Sequence, residues 1–347
     1  MNQALTPSSE VRAQQRAAFV ARHWHAEATL QALPADASAR RYFRLPGASL
    51  LLMDSPPAGE PLAPYLRVAE LLHEQGLSAP RVLAADEQAG LALIEDFGQA
   101  TYTRLLAAGQ AEAPLYELAV DCLVALHRAP AEQAAVLPAY NDQRLADEFA
   151  LFIDWYAPLL LGAAPSSALR TAYMALFDGL CDLVAGRREA LVLRDFHVDN
   201  LMLLEERSGV AACGLLDFQD ALHGACAYDL MSLLEDARRD LPRELQDNLL
   251  QRYLAQRPQL DREAFLADYA VLAAQRHAKV LGIFVRLAKR DGKLGYLAHL
   301  PRVLRLFREA LERPALHPLR DFLDCHLEGW RDDLPVAVLD GLRGQSL

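Results

Sequence analysis

LVLRDFHVDNLML, residues 191–203, sets a knot of polar side chains between two apolar runs. Leu191, Val192 and Leu193 stop at a charge. Asp195, His197, Asp199 and Asn200 follow within a few residues, and the chain then turns apolar again. The pattern predicts strand, loop, strand. LLDFQDA, residues 215–221, places Asp217 at the end of a further apolar run. If the strands pair, Asp195, Asn200 and Asp217 converge. Oxygen ligands from Asn200 and Asp217, with room left for phosphate oxygens, suit Mg²⁺. Asp195 is then free to accept a proton from a hydroxyl. That is the working set of a phosphotransferase, whose chemistry is mostly positioning and charge neutralisation. A D-x4-N spacing alone is common. Followed at this distance by an apolar-DF pair, it is informative.

The composition agrees with such a reading and excludes others. At 347 residues the length suggests about two domains. The chain is 52% hydrophobic and 23% charged, as expected of globular domains with real cores. A net charge of −11 argues against a nucleic-acid partner, which would need a basic face. The five cysteines are far apart and form no C-x-x-C pair, which fits reduced thiols in the cytoplasm. The N-terminus lacks the apolar stretch of a secretory signal, and no run reaches the roughly 18 apolar residues of a membrane span. The expectation is a cytoplasmic protein acting on a small molecule, with no membrane and no protein partner implied.

Outward from the knot, the chain divides into an α+β pattern. Residues 10–31 read as an amphipathic helix. ARRYFRL (39–45) and ASLLLMD (48–54), joined by Pro46-Gly47, read as a hairpin. A helix follows with the apolar stripe Tyr65, Val68, Leu71 and Leu72, stopped at Gly76. Two more strands flank a turn at Asp86–Gly90. Beyond Tyr102 helical periodicity dominates, interrupted only by the strand-rich insert at 191–220. The expected organisation is a small sheet-containing lobe (1–95), a hinge at about 94–98, and a larger, mostly helical lobe (96–347).

LVLRDFHVDNLML with GLLDFQDALHGACAYDL is similar to the catalytic and metal loops of the aminoglycoside phosphotransferase/choline kinase-like family. DASARRYFRL, LLLMDSPP, LALIEDFGQATY and QRHAKVLGIFVRLAKRDGKLGYLAHLPR resemble, within that family, the bacterial anomeric N-acetylmuramate/N-acetylglucosamine kinases. The likeness runs from about residue 36 to residue 302. It implies a protein-kinase-like bilobal fold, ATP and Mg²⁺ as cofactors, and a sugar substrate met in peptidoglycan recycling. It implies Asp195 as the catalytic residue and Asn200 and Asp217 as metal ligands. IEDFG (94–98), with Glu95, Asp96 and Phe97, becomes the hinge that meets adenine. DASARRYF (36–43) becomes the hairpin over the phosphates, with Ala37, Ser38 and Ala39 in place of glycines. Kinases of aminoglycosides, choline or homoserine, or a nucleotide-binding pseudokinase, are the alternatives.

Two departures from the family pattern stand out. Leu193 occupies the position of a histidine two before the catalytic Asp; His197, two after it, is present and reads as orienting the loop. More consequentially, the only lysines are Lys279, Lys289 and Lys293. The ATP lysine of the N-terminal sheet, expected near Met53 or Asp54, is missing, and a Walker-type loop is excluded. Arg41 and Arg44 are the guanidinium candidates for the phosphates. Glu70 reads as a solvated charge. Asp199 reads first as a loop residue with a possible substrate role, and Asp229 as a first-turn helix carboxylate.

The segment 276–293 carries Arg276, Lys279, Arg286, Lys289, Arg290 and Lys293 against Asp291 alone. Arg276, Lys279, Arg286 and Arg290 share one helical face. Lys289 and Arg290 complement the helix C-terminus before Gly292. Arg276 and Lys279 lie too far upstream for that. They are expected to line a substrate site attracting an anion, such as the lactyl carboxylate of N-acetylmuramate, rather than a polycationic aminoglycoside.

Overall fold

The computed structural model describes residues 9–34, 40–57 and 59–344. The chain groups into two compact units, 1–126 with 198–221, and 127–197 with 222–347. The division falls inside the helix Glu112–Arg128 and again between His197 and Val198. It cuts the polar knot: Asp195 belongs to the second unit, Asn200 and Asp217 to the first.

In the first unit, β1 (Gln31–Ala32), β2 (Arg41–Leu45), β3 (Leu50–Asp54), β4 (Val82–Asp86) and β5 (Leu91–Glu95) form an antiparallel sheet in the order β1-β2-β3-β5-β4. The expected hairpin is present, with Gly47 at φ 80° in its turn. The first helix, Ser9–His23, stops eight residues before its expected end. Gln31 and Ala32 instead pair with Arg44 and Phe43, satisfying the open edge of β2. Phe19 and Val20 pack on Leu45, Leu50, Leu52, Leu91 and Leu93. Each such side chain contributes roughly 1.5–3 kcal/mol by leaving water. The helix Ala63–Glu74 buries Tyr65, Val68, Ala69 and Leu72, while Glu70 is exposed as expected. β7 (Leu201–Leu203) pairs with β8 (Cys213–Leu215), and Ser78 bridges to Gly214.

In the second unit, β6 (Ala190–Val192) pairs with β9 (Leu222–Gly224). The two strands flanking the knot therefore enter different ladders. The remainder is helical and organised around Arg262–Asp291, 30 residues and about 45 Å long. Asp261 caps its start, accepting from the N–H groups of Glu263 and Ala264, and Gly292 ends it at φ 67°. The helices Asp142–Leu151, Ala227–Leu234 and Leu300–Leu311 pack around it. Its middle is consequently buried on all sides. Arg276 and Lys279 are buried together with Val280, Phe284 and Ala288, so the single basic face exists only at its C-terminal end, around Arg290. Gly282 is required by closeness: a Cβ there would stand 2.1 Å from the Leu151 carbonyl oxygen.

Among the described residues no helix is long and apolar enough to cross a membrane, and the five cysteines are unpaired.

Candidate active site

The loop after β6 is held by backbone hydrogen bonds to a buried acid. Asp229, fully buried in the first turn of Ala227–Leu234, accepts from the N–H groups of Leu193 at 2.6 Å and Arg194 at 2.9 Å. This fixes Arg194 at φ 70°, a left-handed conformation that costs a non-glycine residue about 1–3 kcal/mol. Asp195 follows that turn directly. Burial raises the pKa of the Asp229 carboxyl to about 7, against the lowering effect of the two backbone donors. From sequence, Asp229 was expected to serve its own helix. Its position among apolar neighbours is the only signal that it reaches further.

Asp195 is half-buried. Burial would raise its pKa, but Lys279, Arg276 and Arg194, with the His197 ring beside them, hold it below the usual carboxylate value. These four come from the loop itself and from the long helix. The structure thus brings Arg276 and Lys279 to Asp195, but with partners inside the protein. Lys279 Nζ lies 2.8 Å from Glu148 Oε1. The Arg276 guanidinium lies 5.7 Å from the centre of the Tyr228 ring. Glu148 also accepts from Arg194 Nη2 at 2.5 Å, from Gln275 Nε2 at 3.0 Å and from the Tyr140 hydroxyl. Sequence reasoning missed Glu148. In DEFALFIDWY it looks like one more solvated helix charge.

His197 is buried, and burial with Arg238 and Arg276 beside it pushes its pKa well down. Arg238 Nη1 lies 3.3 Å from its Nε2. Because a guanidinium only donates, Nε2 must be bare and the ring proton sits on Nδ1. His197 is a neutral scaffold residue in this loop.

The first unit carries Asn200 and Asp217, the residues expected from sequence as oxygen ligands. The backbone N–H of Leu216 donates to the Asn200 carbonyl at 2.9 Å, one residue before Asp217. The β7–β8 ladder therefore brings Asn200 and Asp217 together. Asp217 adopts φ 56°, the second left-handed non-glycine among the described residues, and accepts from Gln219 Nε2 at 2.8 Å. Phe218 stacks on Tyr65, with ring centres 4.8 Å apart. Among the described residues, no group of three or more His, Cys, Asp and Glu could cage a metal. A carboxamide and a carboxylate carried by neighbouring ends of one ladder fit Mg²⁺ bound chiefly through phosphate oxygens. Asp199 is tied elsewhere, accepting from the Thr103 hydroxyl.

Around residues 94–98, Arg44 holds Asp96 through Nε at 2.5 Å and Nη2 at 3.1 Å, and reaches the Gly98 carbonyl at 3.3 Å. Glu95 is held by Arg207, whose guanidinium lies 5.1 Å from the Phe97 ring centre. Arg41 is exposed. Ser38 and the rest of 35–39 lie outside the described residues.

Residues 29–273 match the phosphotransferase enzyme family. An N-acetylmuramate/N-acetylglucosamine kinase of Caulobacter vibrioides is 38% identical, over 93% of this chain and 98% of that protein. The Pseudomonas aeruginosa enzyme of the same name is 39% identical, over 88% and 91%. The ADP-bound aminoglycoside phosphotransferase APH(2'')-Ib superposes with a TM-score of 0.55 at 13% identity, covering 88% of this chain and 99% of that one. The fold is the α+β, protein-kinase-like one. With that fold, a family match over most of its length and relatives that are kinases throughout, the chain belongs to the phosphotransferase enzyme family and is a kinase.

Proposed function

We propose that this kinase transfers the terminal phosphoryl group of ATP to the anomeric hydroxyl of N-acetylmuramate and N-acetylglucosamine, in the cytoplasmic reuse of cell-wall sugars. The cationic surroundings that keep Asp195 ionised carry the reading, because an ionised carboxylate is what a sugar hydroxyl needs as proton acceptor. The 38–39% identity to kinases named for these two sugars supports the substrate assignment.

In this reading Asp195 orients the hydroxyl and takes its proton. Arg276 and Lys279 keep it ionised, and His197 and Asp229 hold its loop. Asn200 and Asp217 would hold Mg²⁺, which neutralises phosphate charge when bound. The 94–98 segment, held by Arg44 and Arg207, presents its backbone to adenine. Incubating the protein with ATP, Mg²⁺ and each sugar tests the proposal. The expected product is the sugar 1-phosphate. ATP turnover on an aminoglycoside, choline or homoserine, with neither sugar consumed, would replace the assignment.

A further inference from the structure

A nucleotide triphosphate carries more negative charge than one Mg²⁺ neutralises, and this chain has no lysine before residue 279 to meet the remainder. The arginines of the first unit sort themselves by partner. Arg12 and Arg16 both hold Asp54, at 2.5 and 2.9 Å, so the expected lysine position is an acid already bound from the first helix. Arg44 is paired with Asp96 and Arg207 with Glu95.

Arg40 is placed differently. Its side chain is 4% exposed; its Nε lies 3.2 Å from the Ser55 hydroxyl and 3.4 Å from Glu60 Oε2. Tyr42, two residues on and within β2, is hydrogen-bonded to the Arg40 side chain. Burial raises the pKa of the Tyr42 hydroxyl, Arg40 opposes the shift, and Asp217 and Glu60 add to it. Tyr65 feels both Tyr42 and Arg40, and its ring stacks on Phe218. The guanidinium, the two tyrosines and the Asp217–Phe218 pair therefore occupy one neighbourhood.

We propose that Arg40, oriented by Glu60, takes the place of the missing lysine and binds the nucleotide's phosphates beside Asp217. The inference rests on the nucleotide assignment above. A planar guanidinium offers two parallel donors to a phosphate, where an ammonium offers a point charge.

The test is calorimetric titration of ADP with Mg²⁺, and of adenosine alone, into wild type, Arg40→Gln, Arg40→Lys and Glu60→Gln. Arg40→Gln is expected to weaken ADP about tenfold or more and leave adenosine unchanged. Arg40→Lys recovers part of the loss, and Glu60→Gln shows a smaller loss in the same direction. In steady state the KM for ATP rises and the KM for sugar does not. Glu70→Gln, on the exposed side of the neighbouring helix, keeps wild-type affinity. Unchanged ADP binding in Arg40→Gln overturns the proposal, as does an equal loss for ADP and adenosine. If Arg40→Gln is unfolded by circular dichroism, Arg40→Lys decides: wild-type ADP affinity overturns the proposal. Wild type binding neither ligand would remove the nucleotide assignment itself.

Discussion

Lys279 Nζ lies 2.8 Å from Glu148 Oε1, and the same oxygen accepts Arg194 Nη2 at 2.5 Å. One carboxylate thus anchors two of the four cationic or polar groups that surround Asp195. The pair is largely buried, with side-chain exposures of 8% and 14%. Removing the acid takes from two cations the carboxylate that they share. Glu148→Gln is expected to cost about 3–5 kcal/mol of stability. Lys279 and Arg194 hold the pKa of Glu148 well below the usual carboxylate value even though burial alone would raise it. A depressed acid contributes stability above its unfolded pKa, and that contribution is lost as pH falls. Denaturant titrations across pH should show the wild-type advantage over Glu148→Gln shrinking towards acid.

Asp229 should behave in the opposite sense. Its folded pKa of about 7 exceeds its unfolded value near 3.8. The folded protein then holds an extra proton across that window. The stability this group contributes is complete below about pH 4 and is lost as pH rises to about 7. The wild-type advantage over Asp229→Asn should fall over that range and level off above it. The amide also turns a donor towards one of the two backbone N–H groups. A further loss of about 1–3 kcal/mol is expected at every pH. Because Arg194 would no longer be held left-handed, kcat should fall as well. A variant with wild-type kcat would show that the loop holds its shape unaided.

These two acids mark where the sequence stops being legible. Asp195, Asn200 and Asp217 could be singled out as the candidate site because polar residues interrupt apolar runs at fixed spacing, which is local information. Glu148 meets Lys279 across 131 residues, and Asp229 meets Leu193 across 36. Neither spacing leaves a local trace, and a lone acid in a helix looks solvated. The hairpin at 41–54 was readable from its alternation and its Pro-Gly turn. The two-residue strand at 31–32 was not, because only the neighbouring edge creates it. The charges of Arg276 and Lys279 were readable, but their inward orientation depends on helices that surround them in space.

Asp195→Asn removes the proton acceptor while keeping its shape. On the assignment proposed above, kcat should fall by about 10²–10⁴. ADP affinity should stay at the wild-type value, because the phosphates are met by other residues. Intact turnover in this variant would overturn the role given to Asp195.

Gly282 reports on packing alone. A methyl group there would stand 2.1 Å from the Leu151 carbonyl oxygen and 2.3 Å from its carbon, both backbone atoms that cannot swing away. Gly282→Ala would normally favour a helix by about 1 kcal/mol. Here overpacking should reverse the sign and destabilise by about 1–3 kcal/mol or more. Thermal unfolding of the purified variant measures the difference.

On the assignment proposed above, a kinase that accepts both an acidic and a neutral sugar constrains where the acid is recognised. The cation that meets the lactyl carboxylate must also be satisfied when the neutral sugar is bound. A buried cation held for substrate would be stranded on every turnover of N-acetylglucosamine, at a cost of several kcal/mol. Arg276 and Lys279, buried with their charges committed inside the protein, do not open to both substrate and solvent. Arg238 does: it is half-exposed, and its Nη1 rests 3.3 Å from the neutral His197 ring beside Asp195. A hydrogen bond to a charged group contributes about 1.5–3 kcal/mol. Arg238→Gln is therefore expected to raise the KM for N-acetylmuramate by about 10- to 100-fold. The KM for N-acetylglucosamine should change by no more than about twofold, within the usual ±0.5 kcal/mol of a neutral substitution. Equal losses on both sugars would place Arg238 in the scaffold of the loop. A change for neither would move carboxylate recognition elsewhere.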